Sequence, residues 1–294
     1  MKRSTIDGLT FLGDFANTDS QLQLEMYLER NQLLDRRSAK TPYRYQYHLP
    51  NKAGVVQFAE QGLGVKPVRM DFNPKRATDP ETKRLYVQII RHLKYIEVSR
   101  VDCAFDYEED LQGIRWMDLE GQKEQEWRFG KKMDLQTVYV GSRNSNYMIV
   151  MYNKAEETRV KEKLALDNDD EQWWRIEVRF QGKESCYQFL IDESFNPFEN
   201  ILTYTDIPIG LGNLKPNDQL KLLGLLTPAG ADILSKMSRP SRTKFKKLMS
   251  EQTMPTPINP KEDFEAQKKD LRQQVLYWLS HQMETTFCTD YTTI

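Results

Sequence analysis

Tyr187 stands ten residues after Glu177 in "WRIEVRFQGKESCYQFL", a gap that fits a strand end, a turn and the first turn of a helix. Ile176, Val178 and Phe180 alternate with Arg175, Glu177 and Arg179, which puts the apolar side chains on one strand face and the charged ones on the other. Two arginines flanking a carboxylate can grip a phosphate beside a metal ion, and a nearby tyrosine could attack that phosphate. Asp102, mid-strand in "SRVDCAFD", supplies a second carboxylate. If its strand neighbours that of Glu177, a spacing of about 4.8 Å lets both hold one divalent ion. A phenol, with an ordinary pKa of about 10, is a weak nucleophile near neutrality. Mg²⁺ or Mn²⁺ polarising the phosphate would ease its attack.

The same residues admit a plainer arrangement. Arg100, Arg175 and Arg179 would pair with the carboxylates as a ladder across a sheet. Tyr187, one of 14 tyrosines, would be half-buried at a helix start.

Two further stretches are suited to phosphates. "YVGSRNSNYMIVMYNK" places Gly141, Ser142, Arg143 and Ser145 at a turn and Lys154 at the far strand end, and such a turn can approach a phosphate backbone closely. "KMSRPSRTKFKK" (236–247) holds six basic residues, including Lys244 and Lys247, and no acidic one. Arg239, Arg242 and Lys246 fall near one helical face, the arrangement of a groove-docking helix; a solvated helix face reads the same way.

Composition narrows the chemistry. The chain has 294 residues, 39% hydrophobic and 29% charged, and its formal net charge of −1 conceals basic and acidic clusters such as "DYEED" and "DNDDE". The 3 cysteines and 3 histidines are scattered, which argues against a disulfide framework, a zinc finger or a histidine-based metal site. A metal here is expected to be a hard cation on carboxylates. No run approaches the roughly 20 apolar residues of a membrane span, and "MKRSTIDGLTF" lacks the apolar core of a signal peptide, so the expected location is cytoplasmic, away from membranes.

The elements that must position these residues follow from periodicity. "STIDGLTFLGDF" alternates as a strand, and a leucine-rich helix follows "NTDSQ". Several strands lie within 42–74. "DPETKRLYVQIIRHLKYIE" predicts a helix capped by Asp79, with Leu85, Ile89, Leu93 and Ile96 on one stripe. Strands are expected at "VSRVDCAFDYEED" and in a hairpin over 137–154 that turns between Gly141 and Asn146, and a charged helix or loop over 155–171. After Tyr187 the pattern is mostly helical: 217–237, broken near Thr227-Pro228, then 241–252 and 260–283, with "TMPTPINP" as a local linker. The expectation is an α+β chain, with a catalytic sheet domain over 1–200 and a mostly helical part over 201–294 that bears the basic segment.

In this order, "SRVDCAFD", "TVYVGSRNSNYMIVMYNK" and "WWRIEVRFQG…Y" resemble the Rep_trans family, the initiators of rolling-circle plasmid replication, whose pattern some relaxases share. The family's hairpin usually has an arginine shortly before Tyr-Asp-Lys, where this chain has Val150, Met151, Tyr152, Asn153 and Lys154. The resemblance implies an antiparallel sheet flanked by helices, a replication-relaxation fold related to HUH nucleases but without their histidine pair. It implies Tyr187 as the nicking tyrosine and Asp102 and Glu177 as ligands of Mg²⁺ or Mn²⁺, with Asp106 at a recurrent acidic position. Origin discrimination would fall to the C-terminal part. The activity implied is origin-specific nicking and strand transfer through a 5′-phosphotyrosine, leaving a 3′-OH primer. The implied partners are double-stranded origin DNA, a single-stranded nick site, a second copy of the chain and a host DNA helicase. The alternatives are a non-catalytic origin-binding regulator and a conjugative relaxase.

Overall fold

The computed structural model describes residues 3–31, 34–35, 42–60, 62–77, 79–120, 123–130, 134–142, 144–162, 172–205, 211–227, 229–252 and 256–287. The chain opens with β1 (Arg3–Phe15), α1 (Ser20–Arg30), β2 (Leu34–Asp35), β3 (Tyr43–His48), β4 (Gly54–Ala59), β5 (Val68–Phe72), α2 (Pro80–Ile90) and β6 (Leu93–Tyr107). It continues through β7 (Arg115–Asp118), β8 (Gln125–Phe129), β9 (Leu135–Val140), β10 (Tyr147–Asn153), α3 (Lys154–Glu162), β11 (Trp174–Gln181) and α4 (Lys183–Ile191). It ends with β12 (Ile201–Tyr204), α5 (Pro216–Leu225), α6 (Gly230–Lys236), α7 (Arg239–Gln252) and α8 (Pro260–Phe287). The result is an α+β chain of antiparallel strand pairs with helices.

These elements form two compact units. The N-terminal unit comprises residues 4–104, 179–193 and 268–294; the central unit comprises 1–3, 105–178 and 194–267. The strands β6 and β11 and the helix α8 are each divided between them.

In the N-terminal unit the strands run in the order β2-β3-β4-β5-β1-β6, followed by the end of β11. Val68, Met70 and Phe72 of β5 are buried while Arg69 and Asp71 face the other way, a period-2 pattern that fixes the register of Leu9 opposite Phe72 and Val55 opposite Asp71. The cap of α2 is as expected: Asp79 accepts from the Thr82 N–H at 2.8 Å, and Pro80 opens the first turn. Tyr86 donates to the Trp278 carbonyl of α8 at 2.6 Å, and Phe72 packs edge-on against the Trp278 ring.

The helix ends earlier than its apolar stripe suggested. It stops at Ile90, and Leu93 and Ile96 belong to β6. The His92 carbonyl accepts from the Ala16 N–H at 2.8 Å, drawing the chain to β1, and Tyr95 adopts φ 49°, a kink within the strand. Sheet pairing overrides a helical spacing that happened to continue.

In the central unit the end of β6 is followed by β11-β10-β9-β8, and β9–β10 is the expected hairpin, with Ile149 opposite Val140. A separate ribbon pairs β12 with β7. Met117 and Tyr204 of that ribbon share a core with Leu222, Leu225, Leu234, Phe245 and Met249 from α5, α6 and α7. Elements change from mostly strand to mostly helix near residue 200, yet this core joins residues from both sides of that point. Helices α5 and α6 are separate, broken where the sequence indicated.

Candidate active site and nucleic-acid interface

Tyr187 is presented by a short helix held from its other faces. Gly182, at φ 84°, makes the turn out of β11 at no cost to a side chain, and its N–H donates to the Ser99 carbonyl at 2.8 Å. Ser185, Cys186 and Phe189 are buried, Phe189 stacking on Phe180 at 4.7 Å between centroids. Arg272 of α8 closes the C-terminal end, donating to the Phe189 and Asp192 carbonyls at 2.7 Å each. At about 100° per residue, burying 185, 186 and 189 turns 187 outward, and Tyr187 is 60% exposed.

In the same unit, Asp102 is buried and taken up by its neighbour on β6. Arg100 Nε lies 2.9 Å from Oδ1 and Nη2 lies 2.6 Å from Oδ2, a two-pronged pair. Arg179 is partly buried in the same unit.

Glu177 and Asp106 belong to the central unit. Arg175 is buried and donates to Asp106 at 2.6 and 3.0 Å; Arg3 adds a 2.7 Å hydrogen bond from outside. Burial alone would push the Asp106 carboxyl up, but the Arg175 hydrogen bonds and charge, with Arg3, hold it below the usual carboxylate range. Arg175 also lies 3.9 Å from Glu177, whose Oε1 accepts from the Tyr152 hydroxyl at 2.6 Å. Burial, then the Glu177 charge, drive the Tyr152 phenol well above its ordinary range, so it stays protonated as a donor. Tyr152 is buried, with its hydroxyl committed to Glu177. Arg175, expected among the DNA-contacting residues, is instead an internal clamp: it is 2% exposed and committed to carboxylates.

Sequence reasoning ranked Asp106 low and overlooked Tyr152. The signal for Asp106 was spacing, a step of four residues from Asp102 that an alternating strand keeps on one face.

The remaining nucleic-acid candidates differ in availability. Ser142 is partly buried at the hairpin turn, where its carbonyl accepts from Ser145 Oγ at 2.6 Å. Arg143 lies outside the described residues. Lys154 pairs with Glu157 at 2.6 Å, beside the Trp173 ring. On α7, Arg239 is exposed and Lys246 partly so. Arg242 donates to the carbonyls of Ser235 (2.6 Å) and Met237 (3.2 Å), closing the end of α6. Lys244 pairs with Asp218 at 2.6 Å and Lys247 with Glu251 at 3.7 Å.

The oxygen donors are of the kind a hard cation takes, and each of these carboxylates is engaged by a neighbouring side chain. Among the described residues, no three His, Cys, Asp or Glu side chains gather as a metal site. Both oxygens of Asp102 are engaged by Arg100, and Glu177 Oε1 by Tyr152. Among the described residues no helix is long and apolar enough to cross a membrane.

Residues 97–202, from mid-β6 into β12, match the family model Rep_trans, described as replication initiation factor. The match is confined to that stretch. Two Staphylococcus aureus proteins named replication initiation protein are similar to it. One is 27% identical over 72% of this chain and 63% of its own length, the other 24% identical over 91% and 79%. The chain thus spans less than two thirds of the former. A solved rolling-circle replication initiator from Geobacillus stearothermophilus is 13% identical, with a TM-score of 0.42 over 77% of this chain and 97% of that one. The matched stretch contains Asp102, Asp106, the hairpin, Glu177 and Tyr187; the basic helix α7 lies beyond it.

Proposed function

We propose that this protein initiates rolling-circle plasmid replication by nicking one strand of its origin through Tyr187. The observation that carries the reading is the outward presentation of Tyr187 on α4, at the position within the matched stretch where the family resemblance puts the nicking tyrosine. The names of the Staphylococcus aureus relatives support the replication role.

In the proposed reaction, the Tyr187 oxygen forms a bond to phosphorus as its proton leaves, and the bond from phosphorus to the 3′ oxygen breaks. That oxygen takes up a proton and becomes the 3′-OH primer, while the strand's 5′ phosphate stays on the tyrosine. One phosphodiester replaces another, so the same chemistry run backward rejoins the strand at termination. Exposed Tyr187 supplies the attacking oxygen, and arginines near the sheet surface, Arg100 and Arg179, supply positive charge toward the strand. Mg²⁺ or Mn²⁺ belongs to the proposal as the group that would polarise the phosphate, with Asp102 and Glu177 as the residues that would hold it. A homodimer, a host helicase and a cytoplasmic setting complete the reading.

The test is incubation with supercoiled plasmid carrying the candidate origin and Mg²⁺, followed by mapping of any DNA-linked peptide. Attachment at Tyr187 is expected. Tight, specific binding with no adduct would instead identify a non-catalytic origin-binding regulator. Nicking only at a conjugative transfer origin would identify a relaxase.

A further inference from the structure

A cavity of about 260 Å³ opens in the N-terminal unit among β1, β4, β5 and β6. Its lining includes Lys52, Val55, Asp71, Arg100 and Asp102, with Gly8 at its wall. Three features describe what it would accept.

The first is size. It is smaller than the roughly 300 Å³ at which pockets for drug-sized ligands begin, so it suits one small ring system. Gly8 makes part of that room, since a Cβ there would lie 2.8 Å from Asp102 Oδ2.

The second is charge. Asp7, Asp71 and Asp102 oppose a phosphate, while Lys52 and Arg100 oppose a cation, and both signs are further matched by the Lys75–Asp7 and Arg69–Asp71 pairs at 3.0 and 2.9 Å. Three carboxylates among four cations leave the opening close to neutral, and its interleaved donors and acceptors fit an uncharged polar ring.

The third is backbone strain at the rim. Asn51 and Lys52 adopt consecutive left-handed conformations, φ 55° and 54°, in residues other than glycine, and such strain concentrates at ligand sites.

Resting on the nicking function proposed above, we propose that this cavity receives one unstacked base of the single-stranded nick site, and that the base is guanine. Guanine is the base that presents an acceptor pair, O6 and N7, on one edge and donors, N1–H and N2–H, on another. Arg100 and Lys52 match the first edge, and the Asp71 carboxylate, which also accepts from Thr10 and Arg69, matches the second. The fork of Arg100 engages Asp102 through Nε and Nη2, leaving Nη1 outside that pair. Lodging one base would fix the register of the strand.

The test uses full-length Tyr187→Phe protein, which cannot cut its ligand, and a pool of random single-stranded DNA 12-mers. Bound strands are sequenced and compared with the input. Guanine is expected to be enriched about tenfold at one position of the aligned strands. Val55→Trp fills the cavity, and Lys52→Gly keeps the backbone conformation but removes the amine; both are checked by thermal melting. In each, the enrichment should fall toward the input ratio while total DNA retained changes by less than about twofold, since phosphate contacts elsewhere remain. Enrichment that persists in both variants, a different base at the preferred position, or retention without positional preference would each overturn the proposal. The nicking reading is scored separately, by adduct formation with wild-type protein on supercoiled plasmid. An adduct without base preference therefore sinks the pocket alone, and base preference without an adduct sinks the nicking alone.

Discussion

Arg175 and Asp106 are joined by two hydrogen bonds, Nε to Oδ1 at 2.6 Å and Nη2 to Oδ2 at 3.0 Å, with side-chain exposures of 2% and 0%. Removing one partner leaves a buried charge without its counter-charge, which costs about 3–5 kcal/mol. Arg175→Met should therefore lower unfolding stability by roughly that amount in urea titration, with nicking losses explained by unfolding. A loss under about 1 kcal/mol would mean that Arg3 alone suffices to hold Asp106.

The same pair sets an acid limb. Asp106 has its folded pKa below its unfolded value of about 3.9, so its stabilisation is complete above that pH and disappears as pH falls through the folded value. Stability should drop steeply below about pH 4, and Asp106→Asn should flatten that part of the profile while lowering the plateau. Parallel acid profiles for the two proteins would assign the limb to other carboxylates.

Tyr187→Phe keeps the ring and removes the hydroxyl of a side chain that packs on little. It should abolish the covalent DNA adduct while leaving origin binding within about twofold and thermal stability within about 0.5 kcal/mol. Adduct formation at the wild-type rate would move the nucleophile to another tyrosine.

EDTA should stop wild-type nicking, and Asp102→Asn and Glu177→Gln should each reduce it by about tenfold or more, because neutral amides are poor ligands for hard cations. Arg100 competes with a cation for both Asp102 oxygens, so Arg100→Gln should lower the Mg²⁺ concentration at half-maximal nicking. Full cleavage in chelator would leave these carboxylates as partners of arginine and tyrosine only.

Within α7, Arg239 and Lys246 should behave differently from Arg242. Neutralising the first two should weaken binding to duplex origin and reduce the salt slope by up to about 2, at little cost in stability. Arg242→Ala should instead lower stability by about 1–2 kcal/mol, because it strips donors from two carbonyls at the end of α6. Nicking of a short single-stranded oligonucleotide should survive in all three. Equal loss on both substrates would place α7 at the site of chemistry.

Local pattern determined a good deal of this protein by itself. The alternation in "WRIEVRF" set β11 and its polar face, Gly182 set the turn, Asp79 and Pro80 set the start of α2, and "VGSRNSN" set the β9–β10 hairpin. These follow from side-chain period and backbone preference, which are properties of neighbours in sequence. The tertiary structure decided the partners. Asp106 and Arg175 lie 69 positions apart and meet only because sheet register brings them within 2.6 Å. Arg242 reads as one more cation in a basic run, yet packing turns it onto the carbonyls at the end of α6. Leu93 and Ile96 kept the helical period and were claimed by a strand, since pairing with β1 was available there. A charged residue's type fixes what it can bond to. Which charge it meets, and whether water reaches it, is set by the register and packing of segments that the sequence holds far apart.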